Sequence, residues 1–197
     1  MEVSITKALA EVKKIAKRIN NLDLTGMGGV YKVKDQEMIN KTKEEFKSTM
    51  QSMHDLFSRR SAIKSAIAKA NVITEVEPGV TIYDLIVSKE FKHEERERLL
   101  GVRARVLKLE DMKMKEDAKL DSVINQVIEK AYGSTKPAAS FVEDITKSHY
   151  DVNGSIVAST YTSEEITNMI TKLDDEIVEL DIKLSEINSK VTITIPD

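Results

Sequence analysis

Residues 162–188 read TSEEITNMITKLDDEIVELDIKLSEIN and contain the clearest structural signal in the chain. Thr162 and Glu165 have the spacing of a capping box, which places the start of a helix there. The apolar side chains of this stretch repeat every 3.5 residues on average, and a straight α-helix does not keep such a repeat on one face. The pattern therefore predicts a helix over 163–190 that supercoils against a partner helix of the same chain or of another subunit. The side chains that form this helix-packing seam alternate in steps of four and three: Ile166, Ile170, Leu173, Ile177, Leu180, Leu184 and Ile187.

The composition of the chain favours the same architecture. Charged residues make up 32% of its 197 residues and aromatic residues only 5%, with no Trp and no Cys. Long helices and coiled coils have such compositions, whereas a compact core of this size carries more aromatic bulk. The lack of cysteine excludes disulfides, zinc–thiolate sites and thiol catalysis. We expect neither a secretory signal nor a membrane span, because no apolar run approaches about 18 residues.

Charge is distributed unevenly along the chain. Residues 1–73 contain 14 Lys/Arg and 8 Asp/Glu, a net +6, whereas residues 134–197 contain 5 and 12, a net −7. A basic first part and an acidic last part can attract each other within a chain or between subunits. We expect no binding to nucleic acid, because the basic part has few aromatic side chains to stack on bases.

Four further helices are predicted, over about 4–21, 36–71, 81–89 and 92–132, with Gly133 ending the last. Ser4 can cap the first helix. That helix also carries cations outside its apolar seam, which form either a solvated face or a basic face for an anionic membrane or a partner. These cations are Lys13, Lys14, Lys17 and Arg18.

Two segments have the pattern of β-structure. Asn153-Gly154 is the strongest two-residue turn signal, so residues 145–162 are predicted to form a β-hairpin. A terminal strand is predicted where Val191, Ile193 and Ile195 alternate with threonines, and its backbone can pair with a neighbouring subunit. Residues 30–34 alternate similarly and predict a short strand.

The predicted fold is therefore mainly α: an elongated antiparallel bundle of long helices, or coiled coil, with a small β-hairpin and a C-terminal strand. Residues 1–133 form a long-helix region in this prediction. Residues 134–197 contain the hairpin, the heptad helix and the terminal strand.

Residues able to do chemistry are scattered in this sequence. The three histidines, His54, His93 and His149, fall on three different predicted elements, and the plentiful carboxylates alternate with cations on helix exteriors. We therefore expect no catalytic residue, no metal site and no cofactor.

The chain resembles the septicolysin-like family of small helical proteins found in bacterial and phage genomes. Its most similar stretch is ELDIKLSEIN at 179–188, preceded by Leu173-Asp174. The likeness also covers KALAE at 7–11 continuing to Ile19, Arg60–Asn71 followed by Thr74 and GVT at 79–81, and VAST at 157–160 before Glu165. The family name implies a cytolysin, whereas the occurrence of related genes in phages implies a virion component.

We therefore expect a non-enzymatic, self-assembling structural protein, a homo-oligomeric component of a bacteriophage tail or neck that is made in the host cytoplasm and contacts other virion proteins. One alternative is a pore-forming, membrane-active protein similar to a cytolysin, with the basic first helix against the membrane. Another is a helical adaptor in the bacterial cytoplasm.

Overall fold

The computed structural model describes residues 1–22, 28–133 and 135–196, and it confirms the mainly α prediction. Helices account for most of the described residues, with two small antiparallel strand pairs. The helices are α1 (Ile5–Asn20), α2 (Gln36–Ile73), α3 (Ile82–Tyr132), α4 (Ala139–Asn153) and α5 (Ser163–Lys190). The strands are β1 (Glu2–Ser4), β2 (Glu75–Glu77), β3 (Val80–Thr81) and β4 (Thr192–Thr194).

The chain divides into two compact units, and α3 and α5 each contribute residues to both. Met1–Glu90 and Val178–Asp197 make up the first unit, and Phe91–Ile177 makes up the second. This division differs from the sequence-based boundary at residue 133. The difference arises because the last part of α5 packs with the N-terminal helices, a contact between distant parts of the sequence.

The core of the first unit is formed by the apolar seams of α1 and α2. Ile5 and Ile15 of α1 and Ile63 of α2 are at most 1% exposed, and Ala8 lets the two helices approach closely. Ser4 caps α1 as predicted, because its hydroxyl accepts from the amide of Lys7 at 3.3 Å. Other members of this cluster come from the start of α3, the end of α5 and β4.

The terminal strand exists as predicted, but its partner is β1 of the same chain. Val3 lies opposite Ile193 in an antiparallel pair. The pairing continues at the chain ends, where the amide of Ile195 donates to the carbonyl of Met1 at 2.9 Å. The sequence analysis missed β1 because three residues are too few to show a period of two.

A hairpin of β2 and β3 leads into α3. Gly79 has φ +76°, a left-handed conformation that favours glycine at this turn. Thr81 and Asp84 then form a cap at the start of α3: the Thr81 amide and hydroxyl donate to the carboxylate of Asp84 at 2.7 and 2.6 Å. The predicted helices 81–89 and 92–132 are one helix, because no glycine or proline between Lys89 and Lys92 interrupts the backbone hydrogen bonds. Gly133 follows it with φ +58°, as predicted.

The predicted β-hairpin over 145–162 is wrong. Residues up to Asn153 belong to α4, and residues 154–162 have no regular secondary structure. Gly154 ends the helix instead of forming a hairpin turn: its amide makes the last helical hydrogen bond, to the Tyr150 carbonyl at 2.9 Å, and its own backbone is extended, with ψ 149°. The predicted strand at 30–34 is also absent, with a turn at residues 33–34.

Contacts with α3 hold α4 in its helical form. The Tyr150 hydroxyl donates to Asp121 at 2.8 Å, and the rings of Tyr132 and Phe141 pack edge to face with centroids 4.7 Å apart. Tyr150 is a strong β-former in isolation, but here it gains the bond to Asp121 as part of the helix. These tertiary contacts outweigh the β-propensity of the segment.

We predict that Ile63→Ala destabilises the protein by about 3 kcal/mol, because it leaves a cavity in a fully buried position. Urea denaturation followed by circular dichroism measures this loss. Ser61→Ala, on the exposed side of the same helix, is the control and should leave the free energy of unfolding within about 0.5 kcal/mol. An equal effect of both substitutions would contradict the assigned core.

Candidate interaction surfaces

The predicted α5 seam is covered by other parts of the same chain. In the second unit, Ile166 and Ile170 pack with Val106 of α3, and Leu99 and Leu100 border this cluster. Leu173 and Ile177 are 8% and 6% exposed. In the first unit, Leu184 is part of the main core, with Leu180 and Ile187 packed against it. The partner that the heptad pattern requires is therefore supplied within the chain.

Ion pairs accompany the α5 seam in the second unit. The guanidinium Nε of Arg96 lies 2.5 Å from Oδ1 of Asp174, and Lys92 donates to Glu176. The hydrogen bond from Lys92 lowers the pKa of Glu176, and the hydrogen bond to Asp174 raises the pKa of Arg96. Half-exposed ion pairs of this kind contribute little stability, and they mainly determine how α5 aligns with α3.

The first unit holds α5 by similar contacts. Lys89 pairs with Asp181, and Lys183 pairs with Glu77 of the β2–β3 hairpin. The hydrogen bond from Lys183 lowers the pKa of Glu77. Neither pair joins the basic residues 1–73 to the acidic residues 134–197, so the attraction expected between those two parts of the chain stays a prediction.

The start of α5 is fixed from two sides. The Thr162 amide donates to Glu165 at 2.8 Å and the Glu165 amide donates to the Thr162 hydroxyl at 3.1 Å, which is the predicted capping box. In addition, the amide and hydroxyl of Ser163 donate to Glu110 of α3 at 3.0 and 2.6 Å. These bonds lower the pKa of both Glu110 and Glu165. Glu110 was missed by the sequence analysis, since only the fold brings it to a residue 53 positions away.

The terminal residues proposed for pairing with a neighbouring subunit have partners within the chain, which corrects that prediction. The Val191 carbonyl accepts from the amide of Ile5 at 3.0 Å. Ile193 and Ile195 are 8% and 2% exposed in the core. A β-strand alternation identifies a pairing strand but contains no information about its partner, and here β1 supplies it.

The four cations of α1 lie outside the core. Lys13, Lys14, Lys17 and Arg18 are all exposed. Lys14 lies 3.9 Å from Glu11, a weak pair. Lys17 and Arg18 lie in the last turn, where they complement the partial negative charge of the helix end.

Two open grooves border these cations. Lys13 lines a groove of about 470 Å³ between α1 and α5, with Asp181 and Leu184. Arg18 lines another of about 640 Å³ at the end of α1, with Asp55 and Arg59. Each groove contains both signs of charge, so neither forms a purely cationic surface.

The histidines do not converge. His54 and His93 are exposed on α2 and α3, and a ring nitrogen of the half-buried His149 lies 2.9 Å from the Ile145 carbonyl of its own helix. Among the residues that the structure describes, no three His, Cys, Asp or Glu side chains come together in a way that could hold a metal ion. The described helices also include none that is long and apolar enough to cross a membrane.

The sequence analysis missed an exposed apolar stripe on α2. Phe46 and Met50 are each 38% exposed and Phe57 is 48% exposed, with Met53 half-buried between them. The sequence signal for this stripe is the 4-3-4 spacing of its four residues. Phe46 and Met53 also lie on seven-residue steps that lead to the buried Ile67, and that longer repeat favours a packed seam over an exposed one.

Comparisons with known proteins identify the fold without a function. No family model matches the chain, and no curated protein matches it. A crystal structure of a functionally unknown conserved protein from Corynebacterium diphtheriae is similar, with a TM-score of 0.50 and 16% sequence identity. The similarity covers 98% of this chain and 100% of that one, so the arrangement of elements is shared over the whole length.

We predict that the contribution of Glu110 to stability depends on pH. Its folded-state pKa lies below the ordinary value of 4.5, so the contribution is complete above pH 4.5 and is lost as the pH falls through the lower, folded-state pKa. Glu110→Gln should therefore lower the melting temperature at pH 7 and have a smaller effect at pH 3. Glu95→Gln, an exposed change on the same helix, is the control. A pH-independent effect of Glu110→Gln would contradict the role of its charge.

Proposed function

We propose that this protein is a non-enzymatic structural subunit that works by assembling with further protein chains, including copies of itself. The observation that carries the proposal is the amount of surface that the fold leaves uncovered. The chain exposes 14414 Å², whereas a compact protein of its mass, 22.1 kDa, exposes only about 9,300 Å².

Dividing the chain into two compact units accounts for only part of the excess. Two separate compact proteins, each of half this mass, would together expose about 11,000 Å². The surface of this chain still exceeds that value by about 3,000 Å². This excess is larger than the roughly 1,200–2,000 Å² that a specific protein–protein interface buries in total.

Several large apolar side chains on the helices are exposed. Phe91 of α3 is 63% exposed, and Met112 and Met114 of the same helix are 61% and 70% exposed. Scattered apolar side chains are normal on a protein surface, but aromatic and Met side chains are also the ones that interfaces favour. Helical subunits that cover such side chains on one another gain stability from association.

The setting that we propose is a bacteriophage particle, as a component of its tail or neck. The support for this setting is the resemblance to a family with members in phage genomes. The structural neighbour is named as functionally unknown and adds no support for one setting over another.

We predict that the purified protein forms a defined oligomer. Size-exclusion chromatography with multi-angle light scattering, from about 1 to 200 µM, measures the molar mass directly, and interfaces of ordinary size associate in this range or below it. A mass that is a fixed multiple of 22.1 kDa supports the proposal. A monomer at every concentration would contradict self-assembly.

A second candidate function is membrane activity, favoured by the exposure of Lys13, Lys14, Lys17 and Arg18 on α1. Cations on one helix can bind an anionic lipid surface, and that attraction weakens as salt screens it.

Co-sedimentation with vesicles of anionic and of neutral lipid tests this candidate. If α1 binds membranes, binding requires anionic lipid, fades in 0.5 M salt and is lost when the four cations are replaced by glutamine. Replacing Lys41, Lys43 and Lys47 of α2 by glutamine is the matched control. No binding to anionic vesicles at low salt excludes the candidate.

A further inference from the structure

We propose that α2 forms a self-complementary, antiparallel contact with α2 of a second copy, through Phe46, Met50, Met53 and Phe57. We refer to these four residues as the α2 stripe. The inference rests on the proposed function and names the surface through which two copies meet.

The α2 stripe lies on a part of the helix that the rest of the first unit leaves uncovered. None of the residues of α2 before Ile63 is fully buried, and Leu56 is the first residue of α2 that packs against the core of the first unit. Tyr31 approaches one end of the stripe, where its hydroxyl accepts from Thr42 at 3.0 Å. Phe46 beside it still has 38% of its surface exposed.

The spacing of the stripe indicates that its partner is a helix. Residues 46, 50, 53 and 57 follow the 4-3-4 steps that bring side chains to one seam of a coiled coil. The next two positions of this seam are Arg60 and Lys64, so the apolar pattern ends where the uncovered part of the helix ends. The seam is therefore apolar only where other parts of the unit leave it open.

The charges around the stripe disfavour an anionic partner such as a lipid surface or a nucleic acid. Residues 36–57 contain three Lys and four Asp/Glu, which are Lys41, Lys43, Lys47, Glu37, Glu44, Glu45 and Asp55. A nearly neutral surface of mixed sign neither attracts a membrane nor repels an identical surface. It fits a second copy of the same helix.

The order of side chains is self-complementary when the two helices run antiparallel. Phe46 then lies opposite Phe57 of the second copy, and Met50 lies opposite Met53 of the second copy. A two-fold axis between residues 50 and 53 repeats each contact, as a closed dimer requires. The antiparallel arrangement also aligns the two helix dipoles favourably.

The size of the contact fits a weak to moderate association. The four side chains of one copy expose roughly 300 Å² of apolar surface, and the residues that flank them bring the buried area toward the roughly 800 Å² per partner of a standard interface. Dissociation in the micromolar range is therefore expected, within reach of analytical ultracentrifugation.

Met50→Asp tests the stripe, because it places a charge at the centre of the contact. Sedimentation equilibrium should show an increase of at least 100-fold in the dissociation constant of the full-length protein. Gln51→Asp, one residue away and fully outside the stripe, is the matched control and should change the constant less than threefold. Circular dichroism of both variants should match the parent, since residues 50 and 51 are exposed in the monomer.

The absence of cysteine from the sequence allows a second, geometric test. In the antiparallel contact, Lys47 of one copy flanks His54 of the other. A Lys47→Cys, His54→Cys variant should form a disulfide-linked dimer under mild oxidation. A Glu44→Cys, Gln51→Cys variant has the same seven-residue separation on the opposite face of the helix and should remain monomeric under denaturing, non-reducing electrophoresis.

The outcomes separate this inference from the broader proposal. A parent that self-associates, together with a Met50→Asp variant that associates equally well and no preferential crosslink through 47 and 54, overturns the α2 stripe and leaves self-assembly standing. A parent that remains monomeric at every concentration overturns both.

Discussion

The apolar seam of α5 is the feature on which the rest of the structure depends. A helix with an unbroken 4-3 repeat has to be covered along its whole length, and here α3 covers the first part while the core around α1 and α2 covers the last. Both units therefore require this one helix. Charged pairs at the edge of the seam, such as Arg96 with Asp174, fix its alignment without burying a charge.

Sequence patterns predicted the elements whose signals are local. The Ser4 and Thr162 caps, Gly133 at the end of α3 and the α5 repeat each lie within one helix or at its end, so a short window of sequence contains the whole cause. The mainly α fold follows from these elements. What failed depends on contacts between distant residues: Asn153-Gly154 indicates a hairpin in isolation, but Asp121 on another helix provides a partner for Tyr150 in the helical form.

The candidate surfaces show the same division. The α5 seam could be predicted residue by residue, yet whether it packs within or between chains could not, because the repeat is identical in either case. The stripe of α2 has a 4-3-4 spacing in the sequence, but only the fold shows that its side chains remain exposed. Glu110 of α3, which holds the start of α5, has no sequence signal, because nothing in the sequence distinguishes it from the other acidic residues of its charged helix.

The β1–β4 pair places residues 1 and 195 side by side, with the amino group of Met1 donating to the Ile195 carbonyl at 2.8 Å. Two residues held this close can be joined by a short linker without disturbing the fold. The backbone could then be opened at another exposed site, such as the irregular residues 154–162, to give a circular permutant with the same core. In such a permutant, α5 would lie near the N-terminus and be synthesised before the helices that cover it. The order of synthesis would then differ from that of the parent chain, while the final fold would be the same.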